Sequence, residues 1–256
     1  MCTVTLHRNA DRIVVTMNRD ELKSRPEGQV RRSTNRQGID TLYPTDQLSG
    51  GTWLGINARG IGACLLNRYG DAHLHSGSEI ISRGTIVPDL LDSRSLVEAY
   101  KKIDRLPLHC FRNFDLLLFS SEAILHCTHN DGSGLTRLCK NDWLMLSSSS
   151  WNTDAVLQYR QQKFTDYLAT PDAVTDIASS VLRRFHLDTR GDRRYSTLMH
   201  RTTTHTKSVS QIILDQENIS LRYMGEQTLE CINKESEIEF NDVDHLIRLE
   251  IKRPVI

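Results

Sequence analysis

The chain has no apolar run approaching the roughly 20 residues of a membrane-spanning helix, and residues 1–25 are strand-patterned and charged rather than built like a secretion signal. A cytoplasmic location is the expectation. Net charge is also absent. The 32 basic and 32 acidic residues cancel, so nothing suggests a footprint for nucleic acid or an anionic membrane. Arg31-Arg32 and Arg193-Arg194 read as solvated loop charges. Cys2, Cys64, Cys110, Cys127, Cys139 and Cys231 include no Cys-x-x-Cys pair, and Cys64, Cys127 and Cys231 lie among apolar or strand-like neighbours. Reduced, mostly structural thiols follow. There is no internal repeat, and no low-complexity tract beyond the four serines at 147–150. The glycines at 50–51 and 60–62 serve turns and close strand approach without forming a phosphate loop. His73-x-His75, His126-x-x-His129 and the pair His200 and His205 invite a metal, but none joins the carboxylate or thiol spacing of a recognised site. Neither a metal nor a cofactor is expected.

What is present is strand and helix pattern in blocks. The 256 residues suit a single domain, 1–256, with ample core. Residues 2–18 and 52–67 each read as a hairpin, and the two are expected to open one sheet. A helical period covers 78–103, with Pro88 marking a break or a second start. Strands at 114–119, 123–129, 135–139 and 143–147 predict a meander. Thr153-Asp154 is expected to cap a helix to Leu168 with Val156, Tyr159, Phe164 and Tyr167 inward. A second helix from Thr170-Pro171-Asp172 carries Val174, Ile177, Val181, Leu182 and Phe185 as its stripe. Strands at 212–214, 219–224 and 246–251 complete an α+β pattern of strand blocks between helix blocks.

The chemistry concentrates at Met1-Cys2. Once an initiator methionine is removed, Cys2 unites a thiol nucleophile and an α-amine base in one residue; both titrate close enough to neutral pH for the amine to accept the thiol's proton. A small second residue that occurs by chance is the plain alternative. Cys2, Val4 and Leu6 alternate with Thr3, Thr5 and His7, and Ile13 to Met17 is β-branched, so the two runs pair through Asn9-Ala10-Asp11-Arg12. With the turn centred near Ala10, paired positions sum to about 20, which sets Cys2 opposite Asn18 and beside Arg19 and Asp20. An arginine there favours the thiolate and a carboxylate can hold the α-amine, although a strand-end surface ion pair also fits these charges.

Met1-Cys2, Asn18-Arg19-Asp20-Glu21 with Ser24-Arg25-Pro26, and Gly51-Thr52-Trp53-Leu54-Gly55 resemble the NRDE family, which includes the eukaryotic transport-and-Golgi-organisation proteins. The likeness continues through Asn67, Ser82-Arg83-Gly84, Asn113-Phe114 and the stretch from Thr206 to Asp215. This resemblance implies an amino-terminal-nucleophile hydrolase fold, an α+β four-layer αββα sandwich of two mainly antiparallel sheets. It also implies a more distant similarity to bile-salt hydrolases and penicillin V acylases. Asn67 matches the acylases' oxyanion-hole asparagine, with a turn role as its alternative. Ser148 stands where relatives carry an asparagine amide, and a hydroxyl is a shorter, less directed donor. Lys207 stands where the family has arginine; it keeps the charge but not the planar fork, and an exposed strand lysine is slightly the better expectation.

Two functions follow. In the first, Cys2 attacks a non-peptide carboxamide of a small acylated substrate, its α-amine relays the proton, Arg19 and Asp20 position the terminus and Asn67 binds the oxyanion. Asn18, Trp53, Tyr69, Ser148 and Lys207 are then substrate-side candidates, with Leu54 and Leu135 as further apolar lining. In the second, the same scaffold is a binding protein for haem or an acyl-CoA or lipid ligand, as eukaryotic relatives imply. Oligomeric state is left open.

Overall fold

The structure, a computed structural model, describes residues 1–35, 37–69, 80–170, 176–234 and 246–254. His73, His75, Pro171, Asp172 and Val174, singled out above, lie outside the described residues. In chain order the strands are β1 (Cys2–Arg8), β2 (Ile13–Leu22), β3 (Val30–Thr34), β4 (Asp40–Pro44), β5 (Leu54–Asn57), β6 (Gly62–Asn67), β7 (Phe114–Phe119), β8 (Ile124–Asn130), β9 (Ser133–Leu138), β10 (Trp143–Ser148), β11 (Thr204–Leu214), β12 (Asn218–Met224) and β13 (Ile247–Lys252). The helices are α1 (Ile86–Leu91), α2 (Leu96–Asp104), α3 (Thr153–Leu168), α4 (Ile177–Val181) and α5 (Glu226–Lys234). One sheet has the order β10-β1-β2-β11-β12-β13 and the other β3-β4-β5-β6-β7-β8-β9. The class is α+β.

The chain divides into two compact units. The first comprises Met1–Glu27, Trp143–Ile213 and Ser220–Arg248; the second comprises Gly28–Asp142, Leu214–Ile219 and Leu249–Ile256. The two predicted hairpins therefore belong to different sheets, which corrects the expectation that they open one. The meander also ends at β9, because β10 leaves it to pair with β1.

In the first unit, Val14 from β2 packs with Phe164 and Tyr167 of α3 and with Ala178, Val181 and Phe185. The inward face of α3 differs from its predicted one. Tyr159 is half-buried, while Arg160, one position on, is among the most deeply buried side chains in the protein. The start of α3 differs too: Asn152, in the left-handed region at φ 43°, occupies the N-cap position ahead of Thr153. After α4 the backbone continues as a π-helical turn over Leu182–His186. Its extra residue per turn lets Leu182, Phe185 and His186 all be buried.

In the second unit, α1 and α2 cover a core of Ala63, Leu65, Leu116 and Leu118 with Ile86, Leu90 and Ala99. The long helix predicted over 78–103 is two helices. Pro88 sits in the first turn of α1, where its missing N–H leaves no helical bond unmade. The break comes later. Ser95 caps α2 by accepting from the Glu98 N–H at 3.1 Å, while the Glu98 carboxylate accepts from the Arg94 N–H at 2.8 Å.

Gly62 is held by packing. A Cβ built there would lie 2.2 Å from the ring of Phe119, which is itself fully buried and has nowhere to move. Gly62→Ala is expected to destabilise the protein by about 1–3 kcal/mol through overpacking, read as a lower urea midpoint with unchanged m-value. An unaltered midpoint would remove the claim that this strand approach requires glycine.

Candidate active site

Cys2 lies in an interior strand. β1 pairs on one side with β10, matching Cys2 to Ser148, and on the other with β2, matching Cys2 to Arg19. The turn explains the second register. Asn9 N–H donates to the Arg12 carbonyl at 3.0 Å, and the Asn9 side chain accepts from the N–H groups of Asp11 and Arg12. Arg8 is thereby paired with Ile13, and the paired positions sum to 21 rather than 20.

That one-residue correction moves every side chain to the opposite face. Cys2 and Arg19 share one face of the sheet. Asn18, paired with Thr3, lies on the other, where its amide donates to the carbonyls of His186 and Thr197, both at 2.9 Å, and accepts from His186 Nδ1. Both amide hydrogens and the amide oxygen of Asn18 are thus engaged inside the fold, so Asn18 does not line a substrate site. His186 Nε2 in turn accepts from the Thr5 hydroxyl at 2.7 Å, which fixes the neutral tautomer. Burial, reinforced by the Arg160 charge, lowers the His186 pKa to about 3.

Asp20 lies on that same face. Its carboxylate accepts from Thr206 Oγ1 at 2.6 Å and from Arg160 Nη2 at 3.2 Å. Arg160 also donates to Thr3 Oγ1 at 2.6 Å, Ser147 Oγ at 3.1 Å and the carbonyls of Tyr195 and Ser196. In the chain that carries Met1, the terminal amine meets Asp20 through the backbone. Met1 extends the strand ladder, its amine donating to the Asp20 carbonyl at 3.1 Å and its carbonyl accepting from the Asp20 N–H at 2.8 Å. Arg19 remains on the Cys2 face, almost buried, with Glu21 at 4.0 Å.

With Met1 in place the thiol is protected. Cys2 is 7 % exposed, and its pKa is raised, because burial outweighs the favourable charges of the terminal amine and Arg19. In the chain that carries Met1, the thiolate-favouring effect expected of Arg19 is therefore outweighed by burial.

Ser148 serves the terminus. Its hydroxyl accepts from the Cys2 N–H at 3.0 Å and donates to the Cys2 carbonyl at 3.4 Å. Lys207 is buried rather than exposed, donating to both Glu226 carboxylate oxygens at 2.8 Å and to the Lys23 carbonyl at 2.9 Å. This is a structural ion pair. In the second unit, Asn67 ends β6 between β5 and β7, not beside the first hairpin, and its amide donates to the Tyr69 hydroxyl at 3.3 Å. Its oxyanion role rests on the resemblance alone. Trp53 is buried, Leu54 is wholly interior, and Tyr69 and Leu135 are exposed. No group of His, Cys, Asp or Glu suited to a metal occurs among the described residues. His126 is instead bonded to Asp115 at 2.8 Å, and His129 to backbone carbonyls.

A cleft of about 780 Å³ lies over the terminus in the first unit, with Met1, Ser150, Trp151, Arg194 and Arg201 among its lining. This falls within the size range of small-molecule sites. Met1, 8 % exposed, lines this cleft on the face of the sheet that carries Asp20, and Arg201 Nη1 lies 2.9 Å from its sulfur. Sequence reasoning missed Arg160 and Arg201. Arg160 had a signal, because it falls four residues after Val156 and four before Phe164, on the apolar stripe itself.

Arg160→Ala is expected to cost about 3–5 kcal/mol in urea unfolding, because it strands the buried Asp20 carboxylate. His186 gives a pH signature. Its folded pKa lies below the unfolded value, so between about 6.5 and 3 the unfolded chain binds the extra proton and stability falls as pH falls. The slope from this one group approaches about 1.4 kcal/mol per pH unit, and His186→Gln is expected to flatten it. Parallel stability profiles for the two proteins would contradict the assignment.

The comparisons with known proteins agree with this architecture. The structure resembles a Caenorhabditis elegans N-acylethanolamine-hydrolyzing acid amidase (NAAA) ortholog, at TM-score 0.58 and 14% identity over 82% of this chain and 92% of that one. A C2A mutant of conjugated bile acid hydrolase from Clostridium perfringens aligns at TM-score 0.48 and 11% identity over 97% of this chain and 96% of that one. No curated protein matches in sequence. The fold is that of the amino-terminal-nucleophile hydrolases. The family profile described as "Transport and Golgi organisation 2" matches residues 1–243, and the chain belongs to that family.

Proposed function

We propose that this protein hydrolyses the amide bond of a small N-acylated substrate, with Cys2 as nucleophile after loss of Met1. The observation that carries the reading is the setting of the Cys2 nitrogen. One residue precedes it, that residue lines a cleft, and Ser148 Oγ already accepts from this nitrogen at 3.0 Å. With Met1 gone, the same nitrogen is the α-amine, held by Ser148 beside its own thiol. The thiol proton passes to that amine and Sγ adds to the amide carbonyl carbon. The C–N bond then breaks as the departing amine takes the proton back, and water hydrolyses the thioester to free acid and thiol. Arg19, on the same sheet face, favours the thiolate. The substrate class is suggested by the amidase that the fold resembles.

A second reading is favoured by one observation, the shielded, pKa-raised thiol of the chain that retains Met1. In that state the protein is a binding module for haem or an acyl ligand. Intact mass separates the two readings. The untagged protein is expected to have lost Met1, to hydrolyse members of an N-acyl amide panel, and to lose at least about a thousandfold in kcat as Cys2→Ala. Full activity in Cys2→Ala would refute the mechanism. A homogeneous Met1-bearing protein that turns over no amide but binds haem or an acyl ligand tightly would establish the second reading.

A further inference from the structure

The cleft over the terminus is cationic. Lys23, Arg194 and Arg201 contribute to its lining, and no acidic side chain does among the described residues. Lys23 is exposed, and Arg194 is already engaged by the Asp192 carboxylate. Arg201 differs from both. It is partly buried, and burial together with the Arg160 charge lowers its pKa, so its charge is held at a cost. No carboxylate among the described residues lies within ion-pair distance of it. Its Nη1 lies 2.9 Å from the Met1 sulfur, and a thioether is a weak acceptor.

The guanidinium is nevertheless fixed. Nε donates to the Arg194 carbonyl at 2.9 Å, Nη2 reaches Ser149 Oγ at 3.4 Å, and the group lies 4.8 Å from the centroid of the Trp151 ring. A planar donor stacked on an aromatic ring and tied at two corners is pre-organised at the third. That third corner points to where the Met1 side chain lies, one residue ahead of the Cys2 nitrogen.

We infer that this cleft recognises an anionic group on the ligand, a carboxylate or a phosphate, with Arg201 as the residue that binds it and Trp151 as its support. Such a group replaces a thioether contact with charge-assisted hydrogen bonds, which are shorter and stronger. This rests on the reading of Cys2 as nucleophile for one consequence: the substrate's charged end is held in the space that Met1 vacates, next to the Cys2 α-amine. It narrows the substrate class from N-acyl amides in general to those that carry an anion near the amide.

The test uses the full chain without Met1 and three amides sharing one acyl arm: N-dodecanoylglycine, N-dodecanoyl-O-phosphoethanolamine and neutral N-dodecanoylethanolamine. Wild type is expected to favour one or both anionic amides by about tenfold or more in kcat/KM, and the better of the two identifies carboxylate or phosphate as the preferred group. Arg201→Gln should collapse that ratio, while Arg201→Lys, which keeps the charge but loses the fork, should keep part of it. Salt gives a reading that needs no variant. Raising ionic strength from about 50 to about 500 mM should weaken the anionic amides and spare the neutral one in wild type. Equal handling of all three amides, or a ratio indifferent to both Arg201→Gln and salt, overturns the proposal. Binding to Cys2→Ala, measured by calorimetry, separates the two ideas. Salt-sensitive, Arg201-dependent binding of anionic amides that wild type never hydrolyses would uphold the anion site and sink the nucleophile.

Discussion

The ion pair between Arg160 and Asp20 is the constraint on which the first unit depends. Two opposite charges are almost wholly out of water, and each is further bonded, Asp20 to Thr206 and Arg160 to Thr3, Ser147 and two backbone carbonyls. Such a pair adds little net stability against an apolar equivalent, yet losing either member is costly. Its value lies in position. One guanidinium ties α3 to β1, β2 and β10 together with the segment at Tyr195 and Ser196, and β1, β2 and β10 frame Cys2.

The strand pair β1 and β2 has two polar-capable faces with separate uses. On the face toward α3 and the π-helical turn, Thr3, Thr5, Asn18 and Asp20 are consumed by internal hydrogen bonds, with neutral His186 as a fully engaged member. A network with every member satisfied is rigid. Cys2 and Arg19 lie on the other face, so the thiol and the guanidinium are held by a backbone whose opposite side cannot easily shift. The NRDE sequence is therefore read by alternation: Asn18 and Asp20 belong to the scaffold, and Arg19 and Glu21 to the face of the thiol.

Much of this was legible in the sequence, and the errors have physical causes. Strand alternation at Cys2 to His7 and the β-branched run from Ile13 fix the hairpin, and the motif residues fix the fold. The register failed because a turn centred at Ala10 differs by half a residue from one centred between Ala10 and Asp11, and half a residue at the turn is one residue in the ladder. Arg160 and Lys207 were hidden by the rule that charged side chains face water. For both, the missing information was a partner distant in sequence: Asp20 for Arg160, and the Glu226 carboxylate for Lys207. Ser147 reads as part of a serine tract, and Ser148 as a stand-in for an asparagine amide, because the hydrogen bonds that use them come from the far end of the chain.

The pairing of Cys2 with Ser148 also sets a clock. These residues are separated by 146 positions, so the strand that closes over the amino terminus does not exist until more than half of the chain has been made. At roughly 5–20 residues per second of synthesis, the terminus spends on the order of ten seconds outside the ribosome without β10 or α3. In the folded chain the Met1 amine is bound to the Asp20 carbonyl and largely shut away from a peptidase. Under the proposed mechanism, excision of Met1 therefore belongs to that interval, and the speed of translation relative to folding would govern how much of the protein carries a free amino-terminal cysteine.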